Sequence, residues 1–491
     1  MDNKNCIYED FEIERYLNLD MPGRLKFEGA DHYKLFTQEV IQSLEGVLIH
    51  NYDYTAEHAG FVSVSIDDRP HTGTMWTRDV GVFLRELAHW GYFGRGCLTA
   101  KRLIALCERN LEGYYAFPRK FFKGMPDSGS EIDGTAAVLI GMKLLYDRLL
   151  VLKDDFGLAA KTASEIYEFI MGQGSPLRFI QHEAGKTATG LIPGSGEFGG
   201  GMGKEAEGLW YNPVQNALAA GALYIWGDKD GAEKIIGGIR KHLVNANGFT
   251  WCIDTETLQT VDAVLNNKEN KGFAGINGIW AMVCDTGASE LFGAWGRDAA
   301  LATYGNLLAS PGRLEQYKKY GIYIQFEVFI EGLLTSPSYG QGYAIQTALQ
   351  LERFEEAECM IKYLAEATKN PPEGYVLTRP TPYWFAERLF SPDYFKLPKE
   401  RQTSDEGCGA LNLVCAAEPL KVARMIAGLG APQLPESGGV SEIGAALQCD
   451  SLLKLFSKAV ELPGLDSLTY CNWPVYTGDK IVVVNYTVNQ S

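Results

Sequence analysis

The sequence lacks the residue patterns that bind metals and form disulfide frameworks. Its 491 residues include only 7 histidines, in no HExxH or other paired spacing, and 10 cysteines without a CxxC motif. Zinc sites and disulfide scaffolds depend on such spacings. No P-loop or Rossmann glycine pattern follows a predicted strand either. We therefore expect no metal and no cofactor, and cysteines that stay reduced.

Long apolar runs and basic clusters are also absent. No stretch of about eighteen apolar residues is available to cross a membrane. A formal net charge of −16 without a Lys/Arg run disfavours nucleic acid and anionic membrane surfaces as partners. The first residues lack the basic and apolar regions of a secretory signal, so the cytoplasm is the expected location. The oligomeric state stays open, a homo-oligomer included.

Helical periodicity dominates the sequence from about residue 32 onwards. Helices are predicted at 33–48, 77–91, 96–110, 133–150, 156–172, 213–226, 230–245, 297–308, 340–351, 353–368 and 406–428, with weaker patterns at 275–283 and 312–319. Short connections such as 92–95 indicate antiparallel neighbours, and long loops rich in Gly, Pro and aromatic residues alternate with them. About a dozen helices in six hairpins predict an all-α fold, an (α/α)6 toroid. An ordinary α-solenoid is the alternative.

The sequence divides into three parts. Residues 1–30 are polar and predict an irregular N-terminal arm, and residues 31–430 form the predicted barrel domain. Residues 431–491 form a C-terminal extension, in which the strand-like runs 468–471 and 480–488 flank a turn. The extension therefore predicts a small β-containing appendage with a strand pair.

The most informative motif is Trp76-Thr77-Arg78-Asp79, directly before an amphipathic helix. An indole face, a guanidinium and a carboxylate suit the apolar face and the vicinal hydroxyls of a sugar. A plain helix start is the alternative, because Asp79 is also favoured in a first helical turn with Arg78 as its local partner. An aromatic content of 12% agrees with a carbohydrate-binding cleft.

A second block of interest is Leu209-Trp210-Tyr211-Asn212. It stands before Pro213, a residue that suits the first position of a helix. Glu205 lies four residues before Leu209. Core packing at a helix start is the alternative explanation for Trp210 and Tyr211.

Together these motifs resemble the six-hairpin glycosidase superfamily. The Trp-x-Arg-Asp motif before an apolar helix is similar to the signature of glucoamylases, in which the Asp and Arg hold the terminal sugar of an α-glucan. Glu205 with Leu-Trp-Tyr-Asn resembles a segment of the glucosidase domain of glycogen debranching enzymes. The resemblance implies an (α/α)6 barrel and an exo-acting glycoside hydrolase, with inversion as the usual course. It also implies a substrate-binding set of Trp76, Arg78, Asp79, Glu205, Trp210, Tyr211 and Asn212.

Glycoside hydrolysis needs an acid that protonates the leaving oxygen and a second carboxylate that activates water or attacks directly. Glucoamylases carry the acid just after their Leu-Trp, where this chain has Tyr211 and Asn212. Debranching enzymes carry it on the preceding loop, and here Glu197 lies on a Gly-rich stretch of that loop. Glu197 is therefore the first candidate for the acid. Asp133 is the second, with helix capping together with Ser130 as its alternative.

The candidate base lies before the helix predicted at 340–351. The resemblance implies a base Glu roughly sixteen residues before the core of that helix, and counting back from Thr347 reaches Glu331. Glu327, which shares its face in a helix or a strand, is the runner-up. Two solvated carboxylates beside a hydrophobic strand are the alternative. Further predicted substrate contacts are Tyr339, Gln341, Tyr343 and Trp384.

Two other functions stay open. A polysaccharide lyase or a sugar epimerase on the same barrel would use a Tyr or His base, which makes Tyr211, Tyr339 and His71 the residues to test. A glycan-binding protein without catalysis is the other alternative, because no acid follows Trp210 where glucoamylases have one. All three functions share a carbohydrate as the expected ligand.

Overall fold

The computed structural model describes residues 8–21, 31–65, 73–122, 125–126, 129–195, 208–261, 278–309, 311–322, 335–369, 388–398, 412–427, 468–477 and 480–488. Its α-helices are α1 (Asp10–Leu17), α2 (Asp31–His50), α3 (Thr77–Trp90), α4 (Phe93–Leu106), α5 (Ile132–Leu149), α6 (Leu158–Met171), α7 (Pro176–Gly185), α8 (Pro213–Ile225), α9 (Lys229–His242), α10 (Ile279–Thr286), α11 (Ser289–Ala309), α12 (Pro311–Tyr320), α13 (Ser338–Gln350), α14 (Phe354–Lys369) and α15 (Leu413–Ala427). Its strands are β1 (Thr74–Trp76), β2 (Glu108–Arg109), β3 (Tyr115–Ala116), β4 (Lys120–Phe122), β5 (Met125–Pro126), β6 (Trp210–Tyr211), β7 (Val244–Asn245), β8 (Gly248–Phe249), β9 (Ile253–Asp254), β10 (Thr335–Pro337), β11 (Arg388–Phe390), β12 (Leu468–Thr477) and β13 (Lys480–Val488).

Among the described residues, six helices form a closed inner ring. Contacts run from α3 through α5, α8, α10, α13 and α15, and α15 packs back against α3. The helices α2, α4, α6, α9, α11 and α14 pack around this ring, so that outer and inner helices alternate along the chain. The predicted all-α class and (α/α)6 toroid are therefore confirmed.

The inner helices begin at one common end of the barrel, which we call the loop end. Arg78 and Asp133 meet near the starts of α3 and α5, and Arg85 meets Glu418 further along α3 and α15. Short turns follow the inner helices, at 91–92, 226–228, 287–288 and 351–353. Long segments precede them, among them 107–131, 186–212, 243–278 and 370–412. The loop end is thus where long segments and helix N-termini converge.

Glycines allow α3 and α5 to pack at very close range. A Cβ on Gly81 would lie 2.5 Å from backbone atoms of α5, and a Cβ on Gly141 would lie 2.5 Å from the Gly81 carbonyl oxygen. A Cβ on Gly134 would lie 2.2 Å from the Thr77 hydroxyl. A Cβ at these distances would force its neighbours to shift, so the glycines allow α3 and α5 to pack closely from the loop end to the middle of α5.

The described helices differ from the predicted ones at several places, and one of them is α11, which begins at Ser289 rather than at 297. The arm predicted to be irregular contains α1, which packs on α4, and α7 lies within a predicted loop. A Ser-Pro start signal for α7 is present, because Ser175 accepts a hydrogen bond from the Arg178 N–H (3.3 Å) and Pro176 opens the helix. The helix α4 begins before its predicted start at residue 96, since Asp20 accepts hydrogen bonds from the N–H groups of its first turn.

The C-terminal strands pair as predicted. β12 and β13 are antiparallel, from Leu468 opposite Val488 to Thr477 opposite Lys480, with one irregularity after Tyr470. Their backbones contact α10 and α11 of the barrel. The predicted strand pair is confirmed. Within the described parts of the chain, no helix is long and apolar enough to cross a membrane.

Six buried charged side chains meet inside the ring, and we call them the charge cluster: Arg85, Glu86, Asp285, Glu418, Lys421 and Arg424. They come from α3, α10 and α15. Arg85 contacts Glu86 at 2.7 Å, Asp285 at 3.2 Å and Glu418 at 3.3 Å. Three cations therefore balance three carboxylates in a largely buried region, where isolated charges would be very costly.

The cluster shifts the titration of its members. Burial alone would raise the pKa of Asp285, but Lys421, Arg85 and Arg424 outweigh it and lower that pKa from 3.8 to about 2. Against the lowering effect of burial, Glu418, Glu86 and Asp285 raise the pKa of Arg85. Asp285 consequently stays ionised over the whole range in which the protein is expected to work.

We expect Gly81→Ala to lower the free energy of unfolding by about 1–3 kcal/mol, the usual cost of overpacking a close contact. Gly237→Ala on α9 is the matched control, because a Cβ there meets nothing within 4 Å. Helix propensity should make that variant about 0.5–1 kcal/mol more stable. Urea unfolding of both variants measures the difference, and equal stabilities would contradict the close packing of α3 on α5.

Acid should remove the contribution of Asp285 to stability. Because the folded pKa lies below the unfolded one, this contribution is fully present above about pH 4 and is lost as the pH falls through about 2. At 1.36 kcal/mol per pKa unit, the loss amounts to about 2 kcal/mol. Urea unfolding at a series of pH values should show a shallower acid slope for Asp285→Asn than for the wild type. Parallel slopes would contradict the prediction.

Candidate functional site

The Trp-x-Arg-Asp motif forms the start of α3 at the loop end. Thr77 is fixed to the segment that leads into α5, since its N–H donates to the Arg119 carbonyl (3.1 Å) and its hydroxyl to the Pro118 carbonyl (2.7 Å). Arg78 then lies 3.4 Å from Asp79, as the plain helix-start interpretation predicts. It also lies 3.4 Å from Asp133 at the start of α5, a second contact that sequence spacing alone does not indicate.

Two cations lie against Trp76. The Arg119 guanidinium is 4.6 Å and the Lys120 ammonium 5.4 Å from the indole centroid. The antiparallel pairing of β1 with β4 brings them there, because Trp76 stands opposite Lys120. The sequence did not predict these neighbours. The only sequence signal for this contact was that two cations precede Phe121 and Phe122. This signal cannot be interpreted until the pairing of β1 with β4 is known.

Asp133 is buried at the start of α5, and its side chain is 1% exposed. The capping alternative for this residue was wrong. Glu131 precedes the helix and makes no side-chain cap, and the N–H of Ile132 donates instead to the Ser195 hydroxyl oxygen (3.1 Å). Asp133 is therefore the partner of Arg78 in an ion pair between two inner helices.

The Leu-Trp-Tyr-Asn block opens α8 as the sequence indicates. Trp210 and Tyr211 form β6 and pair with β9, and both side chains are buried. Asn212 caps α8, since its Oδ1 accepts from the Val214 N–H (2.8 Å), and its Nδ2 donates to the Trp251 carbonyl (3.1 Å). These contacts explain the fold of the block, and its role in substrate binding stays a prediction.

The start of α13 carries three of the predicted contacts. Tyr339 is half-buried, and its ring meets that of Tyr343 edge to face at 6.0 Å. Burial, with Glu418 nearby, raises the pKa of Tyr343 well above its usual value, against an opposing effect of Arg78. Gln341 is fully buried and donates to the Gly321 carbonyl (2.9 Å). Tyr343 therefore lies between the loop end and the charge cluster.

The remaining predicted residues lie outside the described residues: Glu197, Glu205, Glu327, Glu331 and Trp384. The ends of their segments are described. Gly208 donates its N–H to the Gly194 carbonyl (2.9 Å), which joins the two ends of the segment that carries Glu197 and Glu205. The Gln341 contact with Gly321 likewise joins the two sides of segment 323–334, which carries Glu327 and Glu331.

Within the described residues, one group of side chains has metal-ligand types close together, namely Glu112, His182 and Glu183. It lies on α7 and the β2–β3 turn, outside the loop-end site. The ammonium of Lys186 is 2.9 Å from Glu112 and 2.7 Å from Glu183. A lysine therefore already balances these carboxylates.

Several solved structures with the same fold are glycosidases. Two glycosidase variants, the second in complex with glucose, match 80% of this chain and 97% of their own at 10% and 9% identity, with TM-scores of 0.50 and 0.51. A glycoside hydrolase family 15 glucoamylase from Hypocrea jecorina matches 80% of this chain and 72% of its own at 15% identity, with a TM-score of 0.50. No protein-family model matches the chain, and no curated protein sequence matches it significantly.

The chain therefore has the six-hairpin (α/α)6 fold that these glycosidases share, as the sequence motifs predicted. At identities of this size the likeness shows the fold alone. The function has to be argued from the residues at the loop end.

We expect Asp133→Asn to lower the free energy of unfolding by about 1–3 kcal/mol, because it removes one of the two carboxylates that balance the half-buried Arg78. Asp147→Asn on the same helix is the control. Asp147 pairs with Lys143 at the surface, and such pairs contribute about 0–1 kcal/mol. Thermal and urea unfolding measure both. Equal effects would mean that the contact between Arg78 and Asp133 adds nothing to the barrel.

Proposed function

We propose that this protein is a glycoside hydrolase that removes a terminal sugar with inversion, using Glu197 as the general acid and Glu331 as the general base. Asp133 and Glu327 are the alternatives for these two roles. Arg78 and Asp79 bind the hydroxyls of the terminal sugar, and Trp76 flanks it. Glu205, Trp210, Tyr211, Asn212, Tyr339, Gln341, Tyr343 and Trp384 complete the proposed substrate-binding set.

One observation carries the proposal. The segments with the two proposed catalytic carboxylates both start and finish at the loop end, at the Gly194–Gly208 and Gly321–Gln341 contacts. The same end holds the ion pair of Arg78 with Asp133. Helix N-termini also converge there, and their partial positive charges favour ionised carboxylates such as a catalytic base.

The proposed reaction follows from two carboxyl groups in different protonation states. Glu197 donates a proton to the glycosidic oxygen as the bond to the leaving group breaks. Glu331 takes a proton from a water that attacks the anomeric carbon from the opposite face. Inversion requires a separation of roughly 6.5–9.5 Å between the two carboxyl groups, whereas retention requires roughly 5–5.5 Å. The resemblance of the Trp-x-Arg-Asp and Leu-Trp-Tyr-Asn motifs to glycosidase sequences favours this reaction class over the lyase and epimerase alternatives.

We expect Glu331→Gln to reduce kcat by at least about 10²–10⁴-fold, the usual contribution of general acid–base catalysis. Proton NMR should follow hydrolysis of a panel of α- and β-glycosides and oligosaccharides by wild type and variant. Release of the opposite anomer by the wild type, lost in Glu331→Gln, is the expected result. Glu327→Gln is the matched control, because it removes a neighbouring carboxylate of the same segment.

The same experiment tests the alternatives. An unsaturated or epimerised product would replace the hydrolase by a lyase or an epimerase. Sugar binding without any product from the whole panel would instead favour a glycan-binding protein. Loss of activity in Glu327→Gln but not in Glu331→Gln would exchange the roles of the two residues.

A further inference from the structure

A buried amide on α8 holds the chain that leads to the proposed acid. Gln215 is 0% exposed. Its Oε1 accepts from the Ser195 N–H (3.0 Å) and from the Ser195 hydroxyl (3.4 Å). Its Nε2 donates to the Pro193 carbonyl (3.0 Å). Both ends of this amide are therefore used on one short stretch of chain, just before Glu197.

The neighbouring residue on α8 extends the same arrangement. The Oδ1 of Asn216 accepts from the Ile192 N–H (2.8 Å), and its Nδ2 donates to the Ile192 carbonyl (3.0 Å). Gly194 donates to the Trp210 carbonyl (2.7 Å) and accepts from the Gly208 N–H (2.9 Å). Each backbone polar group from the Ile192 N–H to the Ser195 N–H therefore has a partner. Two side-chain amides take the place of a neighbouring strand and fix the path of residues 192–195.

Ser195 connects this stretch to the ion pair at the loop end. Its hydroxyl oxygen accepts from the N–H of Ile132, the first residue of α5, at 3.1 Å. Asp133, the next residue of α5, contacts Arg78. Gln215 thus orients the residue that joins the starts of α8 and α5, two residues before Glu197.

We infer that Gln215 is the positioning residue of the general acid. The inference rests on the proposed function, because it assigns the acid to Glu197. A buried amide with both ends bonded has one orientation, so it transmits the rigidity of α8 to residues 193–195, which precede the acid in the sequence. Small displacements of a catalytic group are costly, since proton transfer needs hydrogen-bond distance to the leaving oxygen. The amide touches no reacting atom in this scheme.

The dependence on the leaving group tests the inference. Gln215→Met keeps a side chain of similar length but loses the hydrogen bonds. For the sugar and anomer that the wild type hydrolyses, we expect kcat/KM to fall about 10²-fold with an alkyl leaving group, which needs protonation. With a 2,4-dinitrophenyl leaving group, which departs without a proton, we expect a change of no more than about 3-fold. The readout is the ratio of the losses in kcat/KM with the two leaving groups, because this ratio reports how strongly the reaction depends on the general acid.

Two further variants separate positioning from folding. Gln215→Glu keeps the acceptor for Ser195 and should recover part of the lost activity on the alkyl glycoside. Gln181→Met on α7 is the matched control. It removes a side-chain amide that bonds to Asp228 (2.6 Å) and Arg178 (2.9 Å), away from the loop-end contacts. It should leave kcat/KM unchanged on both substrates. Circular dichroism with thermal unfolding reports the fold of each variant.

The possible results are distinguishable. A selective loss on the alkyl glycoside in Gln215→Met supports the inference. An equal loss on both substrates by a folded variant overturns it and leaves the hydrolase in place. If Gln215→Met does not fold, the same comparison is made with Gln215→Glu, for which equal effects on both substrates overturn the inference. If the wild type hydrolyses no glycoside of the panel, the proposed function and this inference are overturned together.

Discussion

The balance of charge inside the helical ring is the constraint on which the rest of the structure depends. Arg85 and Glu86 of α3 meet Glu418 and Arg424 of α15, and this contact closes the ring between its first and last helices. Removing one partner of a buried pair costs about 3–5 kcal/mol, because the other charge is left without compensation. A slip of one turn along either helix would separate the partners by about 5.4 Å. The charge cluster therefore sets the register of the ring as well as its charge balance.

That register determines where the loop-end residues lie. Arg78 precedes Arg85 by two helical turns on α3, a rise of about 10.5 Å. Burial and the Glu418 carboxylate raise the pKa of Tyr343 on α13, and Arg78 opposes them, so this phenol interacts electrostatically with both levels. The polar groups of the barrel thus form two levels along its axis. The deeper level is balanced and buried, and the upper level carries the groups proposed to meet a sugar.

Much of this architecture could be predicted from the sequence, for physical reasons that can be named. Helical periodicity and short turns predicted the ring, and Asn212 with Pro213 marked a helix start that the structure has. The contact of Arg78 with Asp133 could not be predicted, because 55 positions separate the two residues along the chain. The amide contacts of Gln215 were missed for a similar reason. A buried Gln in an alanine-rich helix is ambiguous until its partners, residues 193 and 195, are brought next to it. The proposed acid and base rest on the resemblance to known glycosidases and on the ends of their segments.

The unequal connections at the two ends of the barrel have a consequence for how such a protein can change over evolutionary time. At one end, turns as short as 91–92 and 287–288 leave no room for insertions without separating neighbouring helices. At the other, a pair of glycines, Gly194 and Gly208, fastens both ends of a segment to the barrel. Doubling the length of such a segment costs only about 0.6 kcal/mol of closure entropy. New sequence can therefore be accommodated on one rim alone, and ligand preference can diversify there while the helical ring stays the same.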